Sequence, residues 1–200
     1  GSSKYQNEVY EWAPAPGQFI GETSAIGGMT GNETTPEAAN AWAERRLAER
    51  KFVSLGGFGG YIVVGFDHSI ARTENEYDFA VGGNAFASSN EPGIVWVMQD
   101  TNGDGLPNDE WYELRGSESG KEGTIGNYAV TYYKPTAPKM NVEWTDSEGE
   151  SGCIDYLQAY HRQDYYYPAW IPADAYTLRG TRLPSKNRID PVTGYWSNDA

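Results

Sequence analysis

Apolar and polar positions alternate with a period of two along most of this chain. Tyr61-Ile62-Val63-Val64-Gly65-Phe66, Tyr77 to Val81, Ile94 to Met98, Glu110 to Leu114, Tyr128 to Tyr133 and Tyr176 to Leu178 are rich in aromatic and β-branched residues, and Gly, Asn, Pro and Ser separate them. This pattern predicts strands joined by turns. An earlier run, Val9 to Trp12, reads as a short edge strand stopped by Pro14 and Pro16, because proline cannot donate to a central ladder. One segment has helical spacing. Thr35 is its N-cap, Pro36 its first helical residue and Glu37 sits near the positive end, which predicts a helix running to about Arg50. Ala38, Ala41, Trp42, Leu47 and Ala48 are its expected apolar stripe, with Glu44, Arg45, Arg46 and Glu49 facing water.

Strands at regular spacing with turn residues between them, rather than helices, exclude a parallel α/β fold and predict a mainly β protein: a jelly-roll β-sandwich with one short N-terminal α-helix. After Pro135 the alternation weakens. Tyr156 to Ile171 is expected to be an irregular aromatic excursion, and Leu183 to Ala200 a loop without an evident strand. No linker or internal repeat divides the 200 residues, so a single β-sandwich domain over 1–200 is expected.

Charge narrows the range of partners. Twenty-eight Asp and Glu against fifteen Lys and Arg give a net charge of -13, which opposes nucleic acid, whose affinity comes from cations on phosphates. The excess carboxylates suit a divalent cation instead. Cys153 is the only cysteine, so an intrachain disulfide is excluded, as is a Cys-rich zinc site. No apolar run approaches the ~20 residues of a membrane helix, so no transmembrane segment is expected. Gly1-Ser2-Ser3-Lys4 reads as the start of a processed, exported chain.

The most specific chemical signal is Asp100-Thr101-Asn102-Gly103-Asp104-Gly105-Leu106-Pro107-Asn108-Asp109-Glu110. Oxygen-bearing side chains at the first, third and fifth positions with Gly at the sixth let a tight loop wrap a hard cation, and the seventh residue adds its carbonyl. Asp100, Asn102, Asp104, Leu106, Asp109 and Glu110 are therefore the candidate ligands of a Ca2+ ion. The twelfth position is Trp111 rather than the acid of an EF-hand, and predicted strands flank the loop, so a calcium-bound hairpin loop is expected. The alternative is a solvated acidic turn whose Asn-Gly and Asp-Gly pairs supply positive φ.

Fifteen Tyr and seven Trp exceed what one core of this size needs from residues with polar ends. Tyr165, Tyr166, Tyr167 and Trp170 form the densest cluster and are the candidate ligand-binding platform, since such rings stack on sugar faces. Packing of an irregular crossover onto the sheet is the alternative. Gly56-Gly57-Phe58-Gly59-Gly60 follows a helix and precedes a strand, the reverse of a phosphate-binding loop, and reads as turn or bulge glycines. His68 and His161 lack metal-ligand spacing, and no Gly-x-Ser-x-Gly elbow is present. An enzyme is not expected; paired carboxylates leave a glycoside hydrolase as the remote alternative.

Three segments together carry a resemblance: Val53 to His68, Asp78-Phe79-Ala80-Val81-Gly82-Gly83-Asn84-Ala85-Phe86, and Glu91 to Val97. It continues through Asp100 to Ser117, with Asn108-Asp109-Glu110-Trp111-Tyr112-Glu113-Leu114-Arg115-Gly116-Ser117 as its most recognisable part. Over roughly residues 8 to 185 the chain resembles a family of secreted or lipid-anchored cell-surface proteins of gut Bacteroidetes, often found with PKD modules. The resemblance implies a sandwich similar to galactose-binding-like domains and display at the outer cell surface through a lipid in the full-length precursor. It also implies continuation past the Tyr195-Trp196 region into a further acidic segment and a closing strand. The expected function is a calcium-stabilised cell-surface domain that binds carbohydrate. The alternatives are a structural or adhesion module with a protein partner in a nutrient-uptake complex, and capture of a small molecule such as a vitamin.

Overall fold

The computed structural model describes residues 1–24, 28–85, 91–184 and 192, together with the backbone course of 187–189 and 196–198. The fold is mainly β, with antiparallel sheets and a single short helix among the described residues, consistent with a β-sandwich. The elements are β1 (Glu8–Ala13), α1 (Pro36–Ala48), β2 (Tyr61–Gly65), β3 (Trp96–Met98), β4 (Trp111–Glu113), β5 (Ile125–Tyr133), β6 (Val142–Asp146), β7 (Ser151–Ile154), β8 (Ala175–Arg182), β9 (Asn187–Ile189) and β10 (Trp196–Asn198). They group into two compact units. The first comprises Gly1–His68 and Tyr128–Gly180, the second Ser69–Asn127 and Thr181–Ala200.

The first unit holds the core. β1 pairs antiparallel with β2, Trp12 opposite Ile62, with a bulge between Val9 and Glu11. β5 to β8 form a four-stranded sheet in the order β7-β6-β5-β8. Trp12 is the hub of the apolar cluster: its ring stacks on Trp42 of α1 at 5.0 Å and meets Trp170 at a tilt at 4.8 Å, while its indole N–H donates to the Ser54 carbonyl. Val9, Ile20, Met29, Ala39 and Ala43 complete that cluster.

Helix α1 begins as expected, with the Thr35 hydroxyl accepting from the Ala38 N–H and Pro36 in the first turn. Of the expected stripe Trp42 is buried and Leu47 packs partly buried against the core, whereas Ala41 and Ala48 face solvent and Ala39 and Ala43 are buried instead. The reason is Asn40. Its side-chain oxygen accepts the Trp12 N–H at 2.8 Å and its amide donates to the Tyr10 carbonyl at 2.9 Å, so the helix turns a polar side chain onto β1. Glu44, expected to face only water, accepts the Val9 N–H at 3.0 Å.

The glycine run 56–60 is a close-approach turn. Gly57 N–H donates to the Pro16 carbonyl and Ala15 N–H to the Leu55 carbonyl, and a Cβ on Gly56 or Gly60 would overlap the carbonyl of Ala15 or Leu55 respectively. The Tyr132 hydroxyl, nearly fully buried, donates to the Phe58 carbonyl at 2.7 Å, and burial raises its pKa well above the ordinary phenol value.

Two expectations are corrected, those for Tyr77 to Val81 and for the terminal stretch, and a hairpin forms where the alternation weakens. Tyr77 to Val81 forms no strand: Asp78 accepts the Thr73 N–H at 2.6 Å and folds the segment on itself, leaving Tyr77 wholly exposed. The stretch after Pro135 contains a β6–β7 hairpin, closed by Asp146 accepting the N–H groups of Glu148 and Glu150. The terminal stretch contains the β9–β10 pair, with Trp196 opposite Ile189. Phe86 of the resemblance and Tyr195 lie outside the described residues.

Replacing Asn40 by Leu leaves a β1 N–H and carbonyl without their partners and is expected to destabilise the first unit by about 1–3 kcal/mol. Ala41→Lys, on the exposed face of the same helix, is expected to stay within about 0.5 kcal/mol of the parent. Urea unfolding of both variants measures the contrast, and equal effects would contradict the observed helix face.

Candidate functional site

The loop from Asp100 to Asp109 joins β3 to β4 in the second unit, on a ladder pairing Trp96 with Glu113, Val97 with Tyr112 and Met98 with Trp111. The Trp111 indole N–H reaches back to the Pro107 carbonyl at 3.4 Å. Within the loop every second side chain closes a turn. The Asp100 carboxylate accepts the N–H groups of Gly103 at 2.7 Å and Gly105 at 3.0 Å. Asn102 accepts the Asp104 N–H at 2.9 Å, and Asp104 accepts the Leu106 N–H at 2.8 Å. Gly103 and Gly105 have φ of 74° and 75°, a conformation that side-chain-bearing residues adopt only with strain. Alternation of Asp or Asn with Gly thus folds the backbone through successive turns that gather their oxygens on the same loop.

Asn108 ties the turns together, donating to Asp104 at 2.8 Å and accepting from the Asn102 amide at 3.1 Å. These contacts set the electrostatics of Asp104. The Asn108 amide and the Leu106 N–H hold its carboxyl below the ordinary aspartate value. Asp109 bends toward the start of the loop, accepting the Thr101 hydroxyl at 2.5 Å and its N–H at 3.1 Å. Glu110 points elsewhere, accepting the Tyr112 hydroxyl at 2.6 Å.

This donor set contains oxygen alone, which suits a hard cation such as Ca2+ and not zinc. Among the described residues no three His, Cys, Asp or Glu side chains are gathered as a metal-holding group. A cation here would therefore draw on the Asn102 amide oxygen and the Leu106 carbonyl besides Asp100 and Asp104. Each carboxylate oxygen that accepts one N–H keeps a second lone pair, so the turn contacts do not exhaust the loop's ligating capacity.

The aromatic cluster is placed differently from its expected role. Tyr166, Tyr167 and Trp170 are 0%, 3% and 4% exposed, and only Tyr165, at 40%, reaches the surface. Trp170 packs against Trp12, Tyr167 donates to the Ala173 carbonyl at 2.8 Å, and Tyr166 donates to the His161 carbonyl while accepting the Leu157 N–H. Three of the four rings are therefore corrected from a ligand platform to core. The areas of Tyr166, Tyr167 and Trp170 are consumed by packing against Tyr156, Tyr176 and Trp12 respectively.

Both histidines meet a carboxylate. His68 lies 2.6 Å from Asp67, and His161 lies 2.9 Å from Glu22, which is itself buried. The latter pair spans 139 residues, and no local motif announces it. In the same region a cavity of about 320 Å³ is lined by Lys139, Tyr156, Gln158 and Arg162, side chains that sequence reasoning did not single out.

No protein-family model matches the chain, and no curated protein matches it.

Trp170→Ala is expected to cost about 3–5 kcal/mol of stability, as removal of a buried large aromatic does, whereas Tyr165→Ala stays within about 1 kcal/mol. Denaturant unfolding distinguishes them. The depressed Asp104 carboxyl contributes its turn contacts above the ordinary carboxylate pKa of about 4 and loses them as pH falls through its own lower value. The amide resonance of Leu106 is thus expected to hold its position from pH 7 to about 4 and to shift only below; a midpoint above 4 would contradict the hydrogen bonding described.

Proposed function

We propose that the Asp100–Asp109 loop binds calcium and that the protein is a calcium-stabilised, jelly-roll-like module that binds carbohydrate at a bacterial cell surface. The observation that carries the metal reading is the succession of turns that places the oxygens of Asp100, Asn102 and Asp104 on one loop, with glycines at the two positions where the backbone must enter positive φ. Glu110, held by Tyr112, is the least suited of the expected ligands.

Supporting the carbohydrate reading is the supply of exposed rings outside the core, including Tyr160 at 73% and Tyr165 in the first unit, and Trp96 and Tyr112 in the second. Exposed tyrosine and tryptophan present a flat apolar face with a polar end, the combination a sugar ring requires. The net charge of -13 argues against nucleic acid. No helix among the described residues is long and apolar enough to cross a membrane. Surface display through a lipid belongs to this reading on the strength of the motif resemblance.

A second reading, a module that docks on a partner protein, is favoured by the exposed apolar side chains of Ile70, Tyr77, Phe79 and Val81 on one irregular stretch of the second unit.

A ligand that binds only the folded state stabilises it by about 2.7 kcal/mol at a hundredfold excess over Kd. Calcium at millimolar concentration is accordingly expected to raise the unfolding temperature by several degrees over chelator, and the Asp100→Ala/Asp104→Ala variant is expected to abolish the rise. An identical shift in parent and variant would remove the loop from the proposal. A glycan array of the parent and Tyr165→Ala tests the carbohydrate reading separately: no retained glycan counts against it.

A further inference from the structure

The cavity bordered by Lys139, Tyr156, Gln158 and Arg162 lies within the first unit, and none of these four residues belongs to the tryptophan cluster or to the Asp100–Asp109 loop. Its volume of about 320 Å³ is at the lower end of the roughly 300–1,000 Å³ typical of small-molecule sites, and it opens to solvent between the exposed side chains of Lys139, Gln158 and Arg162. Two of its four lining residues are cations, in a chain whose carboxylates outnumber its cations nearly two to one.

Neither cation is neutralised: among the described residues no carboxylate oxygen lies within 4.0 Å of Lys139 or Arg162, although Lys51, His68, Lys121 and His161 each have such a partner. The nearby Asp155 carboxylate is engaged by the Cys153 thiol and the Asn141 amide. The Arg162 guanidinium is oriented by the carbonyls of Gln158 at 3.0 Å and Ala159 at 3.4 Å, contacts that direct it without cancelling its charge.

Backbone and ring geometry reinforce this arrangement. Lys139 has φ of 59°, sustained by its N–H donating to the Asp164 carbonyl at 2.7 Å, and His161, directly before Arg162, has φ of 47°. Non-glycine residues in this region are strained and concentrate where the fold must aim a side chain. Tyr156 is anchored by its N–H on Asn141 and by its ring against Tyr166 at 5.1 Å, and its hydroxyl is buried without a hydrogen-bond partner. Two unpaired cations, an amide and the edge of a fixed tyrosine ring are complementary to an anionic group carried on a polar ring.

We propose that this cavity binds an acidic sugar, with Lys139 and Arg162 receiving its carboxylate or sulfate and Tyr156 and Gln158 contacting the ring. The inference rests on the carbohydrate reading and specifies its ligand class.

Titration calorimetry at low ionic strength with sodium glucuronate, glucose 6-sulfate, glucose and sodium acetate tests it. Glucuronate or glucose 6-sulfate is expected to bind at least tenfold more tightly than glucose and acetate, and whichever of the two binds more tightly identifies the anion. Lys139→Ala/Arg162→Ala is expected to lose at least tenfold, Gln158→Ala about threefold, and affinity to fall as salt rises. Lys4→Ala/Lys51→Ala, which removes the same two charges away from the cavity, serves as a charge-matched control, and unchanged unfolding temperatures establish that the variants fold. Equal binding of glucose and glucuronate, unaffected by the double substitution, would overturn the anionic site while leaving sugar binding standing. Acetate binding as tightly as glucuronate would reduce the site to one for simple anions and overturn the sugar. Absence of binding by all four would overturn the inference, with the glycan array deciding the broader reading independently.

Discussion

The first unit depends on one indole. Trp12 is covered by Trp42 on one side and Trp170 on another, and its N–H and backbone are tied to Ser54 and Asn40. Helix, strand, the segment leading into β2 and the late aromatic crossover therefore converge on a single side chain. Offset and tilted ring pairs of this kind contribute beyond the area they bury, and they fix the angle between the elements that carry them. Because Trp170 comes from a region with little regular structure, the crossover gains its shape from this contact and from the buried hydroxyls of Tyr166 and Tyr167, not from a ladder.

That dependence explains what could be read from the residues and what could not. Thr35 and Pro36 mark the start of α1 through local chemistry, and alternating β-branched and aromatic residues mark β2 and β5. The buried face of α1 was legible at Trp42 and Leu47, but its alanines were not, because the helix is turned by Asn40 meeting a strand 28 residues away. Tyr77 to Val81 carries a strand's alternation with no neighbouring strand to pair it, while β7, composed of Ser, Gly, Cys and Ile, carries almost none and forms because β6 supplies the partner. Strand propensity describes a fit to a half-buried pleated surface, and the surface itself is not local.

The same division runs through the candidate sites. The turns of the Asp100–Asp109 loop follow from spacing alone, since each side chain closes on a backbone group two to five residues ahead. The aromatic cluster was visible as composition, but its side-chain directions were not: adjacent Tyr165 and Tyr166 lie on opposite sides of the solvent boundary. Lys139 and Arg162 share a cavity through a hydrogen bond between Lys139 and Asp164 backbones, and nothing in either residue's neighbours announces the other.

The contacts between α1 and β1 have a consequence for the molecule in a crowded solution. Among the described residues β1 pairs with β2 alone, so its other edge would ordinarily offer N–H and carbonyl groups to any extended chain that approached. Asn40 occupies the Trp12 N–H and the Tyr10 carbonyl, and Glu44 occupies the Val9 N–H. A foreign strand finds those positions taken and meets a carboxylate beside them. The helix thus acts as a guard against edge-to-edge aggregation, built from two side chains that a hydrophobic pattern would have assigned to solvent.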